Sequence, residues 1–431
     1  MAITITKQPY AFSPRGQKLL FIASSDNSSQ AQFKYGVSIV VTGLSQTMQF
    51  YISPDPNGYF IFDLAAIAAL RNEDETTDMH AIAFSDYIQE QNGKGKETYS
   101  ITIEEWWNNA GTFTHNSSAD EIVEVVLCNG VLQPSFGYKP NTNSSTIPFG
   151  YAMTSLTARA MSDRFHDTHN WWKASSFAIA SVPEAQRTFI PCLSTDYGLL
   201  TVPTSTLITG NDVVKMTYSI FNSFGATYSY SKTISSADII HVGIFPMNIN
   251  ADADILSTPA NTNNWRYYQI MFQNTANAAI SMRYIFYNAE LWGQTDCRND
   301  NVRLAWVNSR GGWDYFNFIK KNEWTNNAER KQYRQVLYRN APNTFLPTDR
   351  QLIDRETIVR RTLQITSDWV QETEFEFLRN LFASKQVQII QEDGTQVPVS
   401  IADTSFVEKR ERNGKLYNVT LNVTPSQDYW T

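Results

Sequence analysis

Short apolar runs and alternating apolar and polar residues dominate the chain, and Asn, Ser, Thr, Pro and Gly separate them. This pattern is typical of β-strands joined by turns. In the first block it predicts strands at Lys18–Ile22, Phe33–Thr42, Met48–Ile52, Tyr59–Phe62, Tyr99–Trp107 and Glu121–Leu127. A short helix is predicted after Asp63, because the Asp63 carboxylate can accept the free N–H groups of a first turn.

A stretch rich in Pro, Gly and Asn, QPSFGYKPNTNSSTIPFG, places a domain boundary near residue 145. The second block, 146–300, has predicted strands at Arg187–Leu193, Leu199–Val202, Val213–Phe221, Thr227–Thr233, Ile239–Phe245, Arg266–Phe272 and Ile280–Tyr287. Strands at that spacing predict a sandwich. The expected fold is therefore mainly β and multi-domain, with Ig-like or jelly-roll-like β-sandwiches over 1–145 and 146–300.

The third block, 301–431, opens with a predicted hairpin at NSRGGWDYFNF, residues 308–318. Ser309–Gly312 is expected to form a four-residue connection, in which glycine supplies a positive φ. Asn308 should then face Trp313, Trp306 should face Tyr315, and Ala305 should face Phe316. One predicted face carries Trp306, Trp313 and Tyr315, and the other carries Val307, Phe316 and Phe318. A hairpin that is apolar on both sides is usually covered on both sides.

The same stretch can also be interpreted as a catalytic loop or a sugar-stacking platform around the single acid, Asp314. Asp314 is predicted on the face of Phe316 and Phe318, with Arg303 and Arg310 as candidate charge partners. The pattern favours a turn between two covered strands over a reactive site. We therefore predict a structural or assembly role for Trp306, Gly311, Gly312, Trp313, Asp314, Tyr315, Phe316 and Phe318.

The chain closes with a predicted small α+β unit. TSDWVQETEFEFLRNLFAS predicts a helix capped by Ser367 or Asp368, with an apolar stripe of Phe375, Leu378, Leu381 and Phe382. Strands are predicted in VQII, TQVPVSI and LYNVTLNV, with turns at QEDG and RNG.

Composition supports a folded protein with substantial cores, since 42% of the 431 residues are hydrophobic and 18% are charged. The net charge is −7 and unevenly placed: residues 1–300 hold 17 Lys and Arg against 26 Asp and Glu, which is −9, so the last third is +2. This balance argues against a general nucleic-acid binder. It indicates that the C-terminal third has a different neighbour from the rest.

Cysteine spacing and hydropathy indicate in which cellular compartment the protein is made. Cys128, Cys192 and Cys297 match neither a zinc site nor a disulfide framework, so free thiols made in a reducing cytoplasm are expected. The N-terminal residues lack the apolar core of a Sec signal, and no stretch approaches the ~20 apolar residues of a membrane helix. We expect no membrane association.

Candidate chemistry is sparse, and each candidate has a structural alternative. His166 and His169, with Asp163 and Asp167, have a spacing that can hold a metal, or they belong to a polar loop. Glu104 and Glu105 are adjacent in a strand and point to opposite faces, so they cannot flank one glycosidic bond. Trp171 and Trp172 could stack on a sugar ring, or they could pack in a core. A basic run could face DNA phosphates or contact another subunit; it consists of Arg350, Arg355, Arg360 and Arg361. We expect no enzyme activity, no metal and no cofactor.

Three segments, in order, carry a family resemblance. NSRGGWDYFNF resembles a stretch, roughly N-x-x-G-G-x-D-x-[FY], in virion proteins of crAss-like tailed bacteriophages and relatives infecting Bacteroidota. FSPRGQKLLFIASSDNSSQAQFKYGVSIVV with PDPNGYFIFDLAAI is similar to their opening, and ITSDWVQETEFEFLRNLFASKQVQII with VPVSI is similar to their closing unit. Residues 150–300 carry no such resemblance.

The resemblance implies a non-enzymatic subunit of a tail ring, collar or hub, located in the virion tail and assembled in the host cytoplasm. Its expected partners are itself, in a homo-oligomeric ring of six or twelve copies, and other tail and portal proteins. Proximity to packaged DNA is expected without base recognition, and an acidic or neutral channel would let DNA slide. The alternatives are a tail-fibre or receptor-binding protein that recognises host surface glycans and an enzyme that cuts the host envelope.

Overall fold

The structure, a computed structural model, is made almost entirely of β-sheets. The described residues are 3–10, 12–16, 18–43, 47–69, 79–83, 86–89, 96–128, 130, 187–203, 215–222, 227–234, 239–250, 265–273, 276–277, 283–292, 300–308, 311–334, 352–402, 416–427 and 429–430. Several sandwich-like units with few helices account for them, which confirms the predicted mainly β, multi-domain fold class.

The first unit packs a three-stranded sheet, in the order β1-β3-β6, on a sheet in the order β2-β10-β8-β4-β5, with β9 paired to β8. Its elements are β1 (Thr4–Lys7), β2 (Phe12–Pro14), β3 (Leu20–Ser24), β4 (Lys34–Val41), β5 (Thr47–Ile52), β6 (Tyr59–Asp63), α1 (Ala65–Ala68), β8 (Lys96–Asn109), β9 (Thr112–His115) and β10 (Glu121–Cys128), with a 3₁₀ turn at Ser117–Ala119. Alternate residues of β8, Tyr99, Ile101 and Ile103, enter the core between the sheets.

The second unit packs a five-stranded sheet, β11-β17-β16-β13-β14, on a three-stranded sheet, β12-β15-β7. Its elements are β7 (Tyr87–Gln89), β11 (Arg187–Cys192), β12 (Leu199–Pro203), β13 (Lys215–Asn222), β14 (Thr227–Thr233), β15 (Ile239–Gly243), α2 (Pro246–Asn250), β16 (Trp265–Gln273) and β17 (Arg283–Asn288), with 3₁₀ turns at Met79–Ala81 and Glu290–Trp292. The β7 strand comes from the first block of sequence and pairs antiparallel with β15. The boundary near residue 145 falls outside the described residues.

The third unit is an eight-stranded sheet, β19-β18-β23-β24-β26-β21-β20, with β27 paired to β21 and one helix packed on it. Its elements are β18 (Val302–Val307), β19 (Trp313–Phe318), β20 (Glu323–Arg334), β21 (Leu352–Thr366), β22 (Val370–Gln371), α3 (Glu372–Ala383), β23 (Val387–Ile390), β24 (Gln396–Ile401), β25 (Leu416–Tyr417), β26 (Thr420–Pro425) and β27 (Tyr429–Trp430). Leu378 and Leu381 of the predicted stripe are buried against the sheet, together with Phe377. The Phe375 side chain lies outside the described part of the chain.

The predicted helix cap at Ser367 or Asp368 is wrong, because α3 begins at Glu372. The backbone of Ser367 donates to the Val419 carbonyl at 2.8 Å, and its hydroxyl accepts the Val419 N–H at 2.9 Å. Those bonds hold Ser367 in extended chain, and β22 then pairs with β25 before the helix can start. In the first unit the Asp63 carboxylate does accept a first-turn N–H, that of Ala65 at 3.0 Å.

Candidate site: a buried joint and an exposed arm

The hairpin that the sequence singles out is present, but its register differs from the prediction by one residue. Trp306 lies opposite Asp314, and Val307 lies opposite Trp313. The predicted partners Tyr315 and Asn308 were therefore wrong. The connection is five residues long, 308–312, because Asn308 also engages Gly312: its N–H donates to the Gly312 carbonyl at 2.9 Å, and its side-chain oxygen accepts the Gly312 N–H at 3.2 Å.

Gly311 is the residue that makes this longer turn possible. Its N–H donates to the Asn308 carbonyl at 3.0 Å, and its φ is +89°, a conformation that L side chains rarely adopt. A shift of one residue moves side chains to the opposite face of a strand. Trp306 accordingly shares a face with Phe316 and Phe318 rather than with Trp313.

The corrected faces divide the hairpin between two cores. Ala305, Trp313 and Tyr315 belong to the core of the second unit, and Val307 packs against that core. Leu304, Trp306, Phe316 and Phe318 belong to the core of the third unit. The prediction that both faces are covered is thus confirmed. We call this hairpin and the polar contacts around it the joint.

A chain of hydrogen bonds crosses the joint. The Leu199 N–H donates to the Tyr315 hydroxyl at 2.9 Å, and that hydroxyl donates to Nδ1 of His80 at 2.6 Å, because the neutral ring carries its proton on Nε2, which faces an acceptor oxygen. Nε2 of His80 then donates to the side-chain oxygen of Gln388 at 3.0 Å. Burial lowers the pKa of His80 to about 3, which keeps the ring neutral, and burial raises the pKa of Tyr315 far above its usual range.

A buried ion pair lies on the same side of the hairpin. The Arg303 guanidinium contacts the Asp196 carboxylate at 2.9 Å, and the two side chains are 3% and 1% exposed. Arg303 also donates to the Tyr197 carbonyl at 2.7 Å and to the Asn317 side chain at 2.8 Å. Its guanidinium carbon lies 4.3 Å from the centre of the Phe245 ring. Arg303 is therefore paired with Asp196, and it lies on the face of the hairpin opposite to that of Asp314.

Asp314 is buried on the Phe316 face, as predicted, but it lies across from Trp306. Its carboxylate accepts a hydrogen bond from the Asn308 amide at 2.9 Å. The predicted partner Arg303 is thus wrong, and Arg310 lies outside the described residues. The Asn308 contact belongs to the turn itself, which gives Asp314 a structural place in the hairpin.

The segment that carries His80 is tied down by one amide. The Asn248 side chain donates to the carbonyls of His80 and Ile82, both at 2.7 Å, and accepts the Gly198 N–H at 2.9 Å. Asn248 is fully buried. Sequence analysis missed His80, Asn248 and Gln388, because each is a single polar residue whose partner lies far away in the chain.

A long arm of two strands projects from the third unit. All twelve residues of β20 are exposed, and this strand pairs only with β21 among the described strands. At ~3.3 Å per residue, β20 alone is about 40 Å long. Arg355, Arg360 and Arg361 of the predicted basic run lie on β21, and Arg361 covers the Trp324 ring at 4.3 Å. We call β20 and β21 the arm.

Glu104 and Glu105 point to opposite faces, as predicted, and both are engaged within the chain. Glu105 is buried and accepts hydrogen bonds from Ser25, from Asn27 at 2.9 Å and from Asn116 at 3.0 Å. Glu104 accepts hydrogen bonds from Ser38 at 2.6 Å and from the Trp106 ring at 2.8 Å. Both carboxylates therefore link segments of the first unit through hydrogen bonds.

Trp106 lies close over Gly36, where a Cβ would come within 2.7 Å of the indole nitrogen. Its ring stacks on Phe113 and His115, with ring centres 5.4 Å and 4.7 Å apart, and Tyr51 meets it edge-on. The aromatic side chains around Trp106 therefore pack on one another at the surface of the first unit.

Several sequence candidates fall outside the described residues: Asp163, His166, Asp167, His169, Trp171, Trp172, Cys297 and Arg350. The Cys128 and Cys192 thiols are buried and contact the Ser13 and Tyr287 carbonyls at 3.7 Å and 3.4 Å. Among the described residues, no group of three or more His, Cys, Asp or Glu could hold a metal ion. A search of the same residues finds no helix with the length and apolar character needed to span a membrane.

Comparisons with protein-family models and with curated proteins give no match for this chain. Solved structures similar to it include a squid arrestin, at 6% sequence identity and a TM-score of 0.15, over 66% of this chain and 98% of the arrestin chain. A TM-score of 0.15 carries no argument about the function of this chain.

Proposed function

We propose that this protein is a structural subunit of a tailed bacteriophage virion, and specifically a tail ring, collar or hub protein. It oligomerises around the DNA channel and joins portal-proximal to distal tail components. The ordered resemblance of residues 12–67, 308–318 and 365–401 to virion proteins of crAss-like phages supports the class.

The observation that carries the proposal is the arm. The arm is supported on one side, because β21 pairs with β26 and β27, but β20 is an edge strand, and an edge strand exposes a row of unpaired backbone groups. A fully exposed strand of twelve residues therefore suits a chain whose arm is covered in an assembly. The base of the arm shares a core with the joint, since Leu363 and Ile365 of β21 belong to the same cluster as Phe316 and Phe318.

The ring proposal and the receptor-binding alternative differ in stoichiometry. Receptor-binding tips are often trimeric, whereas the proposed ring has six or twelve copies. Electron cryomicroscopy of purified virions is the deciding experiment: we expect the chain as a closed ring around the tail axis. Its absence from purified particles refutes the proposal, and a trimer at a fibre tip supports the glycan-binding alternative.

The proposal also predicts the absence of envelope-degrading activity. A zymogram on host envelope should show no clearing, because the described carboxylates Glu104 and Glu105 are engaged in hydrogen bonds within the chain. Clearing that survives purification of the folded protein contradicts a purely structural role.

A further inference from the structure

We propose that the arm of one copy binds a groove on the first unit of the next copy, by adding β20 to an open sheet edge. This inference rests on the proposed function and names the contact that builds the ring. Three features carry it: the exposure of the arm, the shape of the groove, and the opposite charges of the two surfaces.

Among the described strands of its own chain, the arm is a strand donor without an acceptor. Its second strand, β21, pairs with β20 on one side, and the other edge of β20 meets no described strand. Trp324 and Tyr333 are 42% and 48% exposed on β20. Strand addition uses these two properties, since the backbone supplies affinity and alternate side chains supply specificity.

The acceptor is a groove of about 560 Å³ between the two sheets of the first unit. Its lining includes Ile3 and Ile5 from the N-terminal segment and Glu121, Ile122 and Glu124 from β10. On one side runs β1, the outermost strand of its sheet. On the other runs β10, which β2 covers only from Val126 onward, so residues 121–125 have no described strand on that edge.

The groove combines exposed apolar surface with negative charge. Ile122 is 66% exposed, and Glu121 and Glu124 lie close to it in the groove lining. The described arm carries six Lys and Arg against four Asp and Glu, a net charge of +2. Two of its acids already pair within the arm, Asp354 with Arg330 at 3.9 Å and Glu356 with Lys331 at 2.7 Å.

A contact between the arm of one copy and the first unit of the next is head-to-tail. Such a heterologous contact closes into a ring when the rotation between copies divides the circle evenly. Because β20 is exposed along its whole length, the groove of the same chain does not hold it. The groove carries Glu121 and Glu124 and the described arm has a net charge of +2, so these two surfaces attract one another between copies.

Photo-cross-linking tests the contact directly. The full chain would carry p-benzoylphenylalanine in place of Tyr333, and isotope-labelled and unlabelled chains would be mixed before irradiation. We expect a ladder of covalent oligomers, with cross-linked peptides from residues 3–9 or 121–124 of a different copy. The matched control places the same group at Leu291, which is 55% exposed on the second unit, and should give no ladder.

Charge reversal provides the second measurement. Glu121→Lys with Glu124→Lys should weaken self-association at least about tenfold, as should Arg334→Glu with Arg355→Glu, because like charges then meet. Combining all four changes in one chain should restore much of the affinity. Light scattering at increasing concentration measures the association, and circular dichroism checks that each variant is folded.

Four outcomes refute the arm contact. In the cross-linking experiment these are a monomer that gives no cross-link, cross-links elsewhere on the chain, and cross-linking only to added duplex DNA. In the charge-reversal experiment it is a combined variant whose self-association is not restored. These outcomes are distinguishable from failure of the proposed function. A chain that is absent from virions but cross-links through the groove refutes the virion role alone. A ring seen in virions with the groove empty refutes the arm contact alone.

Discussion

Removing the Arg303 guanidinium should destabilise the joint strongly. Arg303→Met keeps much of the side-chain volume but leaves the Asp196 carboxylate buried at 1% exposure without its countercharge. Asp196 would keep neutral donors, among them the Leu193 N–H at 2.9 Å and the Asn317 amide at 2.7 Å, which do not neutralise it. Breaking a buried pair by removing one partner costs about 3–5 kcal/mol. The equilibrium constant for opening the joint should therefore rise by roughly two to three and a half powers of ten.

Hydrogen exchange at the amides of β18 and β19 is the appropriate assay, because it measures opening of the joint separately from unfolding of the first unit. Lys331→Met is the matched control: its pair with Glu356 is as short, 2.7 Å, but the side chains are 59% and 33% exposed. An exposed pair contributes at most about 1 kcal/mol. The double variant Arg303→Met, Asp196→Asn should lose less than the sum of the single variants. Equal losses for Arg303→Met and Lys331→Met, with an additive double variant, refute this account.

Three further perturbations test other contacts. The pKa of His80 is about 3 in the folded protein and about 6.5 in the unfolded chain, so the unfolded state binds more protons between these values. Acidification from pH 6.5 to 3 should therefore lower the unfolding free energy by up to about 1.4 kcal/mol per pH unit. Urea titrations at each pH measure this dependence, and His80→Asn should flatten it. Asp314→Asn should keep the oligomeric state in light scattering, because an amide oxygen at this position can still accept the Asn308 hydrogen bond. Gly311→Val, forced to φ +89°, should impair folding or assembly. Loss of assembly in a folded Asp314→Asn variant would show that the Asp314 charge is required. Gly36→Ala should push Trp106 aside, cost about 1–3 kcal/mol and change the tryptophan fluorescence; an unchanged emission spectrum would contradict this contact.

Most strands were predictable because one face of each is buried, and burial of one face leaves an alternating pattern in the sequence. β8 shows this in Tyr99, Ile101 and Ile103. The start of α3 was not predictable from capping residues, because Ser367 is held by Val419, 52 residues away. At such positions a hydrogen bond to a distant residue, rather than the local capping sequence, decides where the helix begins.

The candidate site was predictable only in part. The hairpin and its two covered faces follow from the apolar residues, but its register depends on how Asn308 engages Gly312, which composition does not reveal. The arm was missed, because β20 is exposed on both faces and has no alternating apolar pattern. The β-branched residues of β21, such as Ile353, Thr357 and Val359, were the available signal. His80 and Tyr315, 235 residues apart, leave no local trace of their contact.

The division of the hairpin between two cores limits where the chain can be cut. A chain that ends at residue 300 would lack Ala305, Trp313 and Tyr315, which fill part of the core of the second unit. A chain that begins after residue 89 would lose β7 and the His80 contact from the same unit. The middle of this protein is therefore completed by pieces from both neighbouring blocks of sequence. Expression of residues 146–300 alone should give material that precipitates or is degraded by proteases, whereas a fragment from residue 79 to 431 retains every described strand of that core.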